Sequence, residues 1–180
     1  MDFASMYPVA GLLSVIVFVI LLAIAVYRDR GWKLGKVTIS HLATDGDDIA
    51  AICFNLGCVL SGMFSFIFGL GLLTLDNAYQ WAGIPFLIAS IGIIATGVIH
   101  RGYGRPHRIS AGIYFLWAVV CIAMTDIACY LEGNTAVGIF GSVMLATMVL
   151  MAVTQRLPVF EPYLVLCNCT WTVIQSILLM

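Results

Sequence analysis

All eight lysines and arginines of this chain fall in three connections between apolar stretches. Arg28, Arg30, Lys33 and Lys36 lie in one, Arg101, Arg105 and Arg108 in the second, and Arg156 in the third. If the chain crosses a membrane six times, these connections share one side. A bias of Lys and Arg across short loops is what orients a polytopic membrane protein. The pattern therefore predicts an all-α, six-helix transmembrane bundle, with the basic loops in the cytoplasm and both termini outside.

Composition supports the class. The chain is 62% hydrophobic and 9% charged, with a mean hydropathy of +1.07, whereas soluble domains carry about a quarter charged residues. Its net charge is −1, and topology accounts for the basic residues, so nucleic acid is not an expected partner. A helix rises about 1.5 Å per residue and needs about 20 apolar residues to cross the hydrocarbon. Stretches at 7–27, 49–75, 81–99, 109–131, 135–153 and 159–180 meet that length and make one domain over residues 1–180. Ala23-Ile24-Ala25 resembles a signal-peptide cleavage site, but Asp2 stands where a basic n-region belongs. The first span is expected to remain.

The six cysteines, Cys53, Cys58, Cys121, Cys129, Cys167 and Cys169, all fall inside expected spans, where cysteine behaves as a small hydrophobe. In the second span, Gly57, Ser61, Ser65 and Gly69 recur every fourth residue, a stripe of small side chains that lets another helix approach closely. Gly138, Ser142 and Ala146 repeat it more weakly. No span contains a lysine, which excludes a retinal Schiff base.

Polar groups inside the spans are few. Asp126 is read as the acidic residue well inside a span, about five residues from its outer end and shallow enough for water to reach. Intramembrane carboxylates are functional candidates by default, so Asp126 joins the ligand-binding candidates. Asn55 joins them too, and both Asn55 and Asn168 suit hydrogen bonds across helices. The three histidines, His41, His100 and His107, all fall on the basic side, with Asp45, Asp47 and Asp48 nearby. His41, His107, Asp45 and Asp47 are candidate catalytic groups, and His41, His100 and His107 candidate ligands for zinc or iron. No HExxH or CxxC pattern demands a metal, and no cofactor is expected. The basic, Gly-rich segment carrying Arg101, Arg105 and Arg108 suits an anionic lipid headgroup.

The chain resembles the small prokaryotic membrane proteins grouped as domain of unknown function 998. Ile39-Ser40-His41-Leu42-Ala43 is similar to that family's I-S-x-L-G, with Ala43 in place of the glycine. Phe54-Asn55-Leu56-Gly57, followed by Ser61-Gly62, is similar to its second-span pattern, and His107 to a histidine opening its fourth span. The resemblance implies a six-span bundle without an established activity. The expected protein sits in a prokaryotic cytoplasmic membrane and, without being an enzyme, binds or moves a small amphiphile or lipid. Its partners are membrane lipids and, as a further option, a second copy or another membrane protein. The alternatives are a metal-assisted membrane hydrolase with a His/Asp site, and a partner subunit without its own ligand.

Overall fold

A computed structural model describes residues 3–43, 48–99 and 101–180. Among them are six long helices: α1 (Phe3–Arg28), α2 (Asp48–Leu72), α3 (Gly83–Val98), α4 (Arg105–Leu131), α5 (Thr135–Thr154) and α6 (Leu157–Leu178). All six belong to segments long and apolar enough to cross a membrane. The molecule is an all-helical, multi-pass membrane protein, because only helices and closed barrels satisfy every backbone polar group within lipid.

Helix ends sit where backbone chemistry puts them. Helix α4 begins before the apolar run does, because Gly104 turns the chain at φ +64° and Pro106 occupies the first turn, where its missing N–H costs nothing. Helix α2 stops at Leu72, and Thr74 and Leu75 then bond back to Gly71 and Leu72 in a tight turn. The short 3-10 helix Ala78–Ala82 leads directly into α3. Asn77 caps it by accepting from the Tyr79 backbone N–H at 3.1 Å.

Five helices form a closed ring. Helix α1 packs on α2, α2 on α3, α3 on α4, α4 on α6, and α6 returns to α1, while α5 stands outside against α4 and α6. The small residues of α2 allow the close approaches. A Cβ on Gly57 would lie 3.2 Å from Leu21 of α1, and one on Gly69 only 3.0 Å from Phe86 of α3. Their stripe changes partner because four residues advance about 400° around a helix, so each step drifts by about 40°. Between those two contacts, Ser61 and Ser65 turn toward the ring interior.

Helix α5 buries only one edge, with Gly138, Gly141, Met144 and Met148 against its neighbours. Gly138 fits beneath the Tyr130 ring, whereas Ala146 faces outward. All six cysteines are free.

Candidate functional site

The ring encloses a polar cavity to which each of its five helices contributes. Ser14 comes from α1, Ser61 and Ser65 from α2, Ser90 from α3, Tyr114 from α4, and Asn168 and Thr172 from α6; none of the lining comes from α5. The Ser14 hydroxyl lies 3.0 Å from that of Ser61 and 3.2 Å from that of Ser65. The Asn168 amide donates to the Tyr114 hydroxyl at 3.0 Å. The cavity volume is about 20 Å³, room for about one water. Its lining carries hydroxyls and an amide but no charged side chain.

A second chamber of about 30 Å³ lies toward the basic end, lined by Ser40, Thr96 and Glu161 among apolar neighbours. Phe18, Ile93 and Tyr114 line both chambers and form the partition between them. The floor of the lower chamber is the 3-10 helix Ile39–Ala43, whose Ile39, Leu42 and Ala43 are buried. Glu161 holds that floor from 122 residues away, accepting the backbone N–H of Ile39 at 2.9 Å and of Ser40 at 3.3 Å. Two backbone donors converging on one carboxylate make charge-assisted bonds, roughly twice as strong as neutral ones.

Glu161 is the residue that sequence reasoning missed. It lies inside α6, only 6% exposed, so Asp126 is not alone as an acid within a span. The available signal was a carboxylate framed by Pro158 and Pro162 at the start of an apolar run. Asp126 also needs correction, because it is only 5% exposed instead of open to water. Helix α5 covers it. Its Oδ2 accepts from the Ser142 hydroxyl at 2.8 Å, and its Oδ1 is buried with no hydrogen-bond partner. Asn55 is half-buried, with an unpartnered Oδ1, and lies beside α3 outside both chambers' linings.

The histidines occupy different settings. His41 belongs to the floor helix and is half-exposed. His107 is buried in the first turns of α4, with Nδ1 2.7 Å from the Ile99 carbonyl and Nε2 without a partner. His100, Asp45 and Asp47 lie outside the described residues. No group of three metal-ligating side chains converges among the described residues. Arg105 and Arg108 are exposed on the first turns of α4. The side chain of Arg101 also lies outside the description.

The profile of the family described as Protein of unknown function (DUF998) matches residues 12–177, from the early turns of α1 to the last turn of α6. The chain belongs to that family. No curated protein and no solved structure matches it. Within this DUF998 chain, the segment resembling I-S-x-L-G is the chamber floor. The Phe54–Gly57 segment is part of the ring wall, where Gly57 meets α1. The adjacent Ser61-Gly62 pair contributes a cavity hydroxyl and a close contact with Ile93, Ile94 and the Ser90 carbonyl of α3.

Proposed function

We propose that this protein binds a small amphiphile within the membrane and moves it along the ring, with an uncharged polar group of the ligand seated at the cavity. The observation that carries this reading is the convergence of polar side chains from all five ring helices in a chain otherwise this apolar. Polar groups inside hydrocarbon are costly and mark ligand pathways. An uncharged head group fits because the cavity offers no opposite charge to offset the desolvation of an ion. For the apolar tail, a groove of about 150 Å³ between α1 and α2 is lined by Met6, Val9, Ala10, Leu13, Phe64 and Ile67. Leu13 and Phe64 directly precede Ser14 and Ser65 in sequence, so groove and cavity share one helix seam. At the cavity's present volume, the seam must part before a head group enters.

The test is photo-crosslinking in proteoliposomes with a diazirine-bearing monoacylglycerol, followed by peptide mapping. Adducts should concentrate on α1, α2 and α6, and fall several-fold when Ser14 and Ser61 are both replaced by alanine. Adducts spread evenly over all lipid-facing surfaces, unchanged in that variant, would refute the reading. The orientation with basic loops in the cytoplasm, and the prokaryotic cytoplasmic membrane as location, belong to the same proposal. A metal-assisted hydrolase is the second reading, favoured by one observation: buried His107 has its Nδ1 engaged by a carbonyl and its Nε2 unpartnered. Metal-binding histidines are held in that way.

A further inference from the structure

Outside the ring's cavities, the most unusual environment belongs to Asp126. It lies on α4 beneath α5, and a Cβ on Gly141 would stand 2.3 Å from Oδ1 and 2.5 Å from the Trp171 ring. Only glycine at position 141 lets these two side chains share the notch. The Trp171 indole N–H is committed to the Thr125 hydroxyl at 2.6 Å and does not reach the carboxylate. The other oxygen, Oδ2, is the end of a short chain. Ser142 lies 2.8 Å away from it, and the Tyr130 hydroxyl lies 3.1 Å from Ser142. Tyr130 is 42% exposed, in the last turn of α4, at the end opposite the basic loops.

We propose that Asp126 is a proton-binding site, fed from the face opposite the basic loops by Tyr130 and Ser142. The surroundings supply no positive partner among the described residues. Helix α5 presents Gly141 and Ser142, and α6 presents Trp171. The titratable groups within four residues of Asp126 on α4 are Cys129 and Tyr130, α5 carries none, α6 carries Glu161, Tyr163, Cys167 and Cys169, and Tyr79 precedes α3. Tyr79 and Gln175 both donate to the Cys129 sulfur. Glu132, at the end of α4, is turned to the backbone N–H of Ala78 at 2.8 Å.

The transfer balances without any oxidant or co-reactant. A hydronium ion gives a proton to the Tyr130 oxygen and leaves as water, the Tyr130 hydrogen passes to the Ser142 oxygen, and the Ser142 hydrogen passes to Oδ2. Both hydroxyls end with the hydrogens they need, and of the protein groups only Asp126 has changed, from carboxylate to carboxylic acid. The site stands apart from the amphiphile cavity, since neither Asp126 nor α5 lines it.

Infrared spectroscopy of the full chain in liposomes tests the proposal. The expected result is a protonated-carboxyl C=O stretch that shifts on transfer to heavy water, vanishes in Asp126→Asn and moves in Asp126→Glu. Ser142→Ala and Tyr130→Phe should keep the band but slow its deuterium shift by about tenfold. A band unaffected by both Asp126 substitutions, or exchange at the parent rate in both relay variants, would overturn the assignment. If Asp126→Asn fails to insert, Asp126→Glu and the relay variants carry the test alone.

Discussion

Replacing Gly92 by alanine should drive α3 and α4 apart, and the structure supplies its own control. The new Cβ would sit 2.7 Å from the backbone nitrogen of Tyr114 and 3.0 Å from its Cα. Because the obstacle is backbone, no rotamer change relieves it. Restoring an ordinary contact of 3.4 Å separates the helices by about 0.7 Å, and a gap of that size already forfeits a sizeable part of each dispersion well along the seam. Overpacking of this kind costs about 1–3 kcal/mol. Alanine also favours the helix over glycine by roughly 0.5–1 kcal/mol, which partly hides the clash. Gly112 removes that ambiguity, since a Cβ there would meet nothing within 4 Å. Gly112→Ala receives the propensity gain alone, so the difference between the two variants isolates the contact at about 1–3 kcal/mol. Reversible unfolding in mixed micelles, followed by circular dichroism, measures it. Should Gly92→Ala prove as stable as Gly112→Ala, the close α3–α4 approach is wrong.

Three further outcomes are expected. In intact cells, cysteines introduced beside Arg28 and Arg105 should resist an impermeant thiol reagent while one at Asn77 reacts; equal labelling would overturn the orientation. Glu161→Gln should loosen the chamber floor, so that the Ile39 and Ser40 amides exchange hydrogen about tenfold faster, as expected for weakening a charge-assisted bond; unchanged protection would mean that the floor is held by its buried side chains alone. Protein purified without a histidine tag should contain no stoichiometric zinc or iron by elemental analysis, whereas one ion per chain, lost in His107→Ala, would promote the hydrolase reading.

Six helices were legible from apolar length alone, because the bilayer imposes it. What hydropathy does not encode is position within the bundle. The most apolar window of α5 is as hydrophobic as those of α2, α3 and α4, yet α5 lies outside the ring. In a membrane, a lipid-facing wall and a buried one are both apolar, so burial leaves no periodic trace. The small-residue stripe of α2 indicated close approach, but not that its two ends serve different neighbours. Glu161 was hidden for another reason. A carboxylate near a helix start looks like an ordinary favourable end effect, and its actual partners, the Ile39 and Ser40 amides, become visible only when the first connection folds beneath α6. The histidines shared a side in sequence, but the side alone said nothing about which ring nitrogen would be engaged.

The five-membered ring also raises a question of parity. Helices that follow one another across a bilayer through short connections run in opposite directions, so an even ring can alternate throughout. An odd ring cannot, and it must contain one pair of parallel neighbours. Here that pair is α4 and α6, and parallel neighbours can be joined only by crossing the membrane once more. Helix α5 is that return path, linked to α4 and α6 by connections of a few residues. It is therefore required by the direction of the chain even though the cavity wall is complete without it. A crossing kept for connectivity leaves its outward residues, such as Val149, Leu150 and Val153, answerable only to lipid.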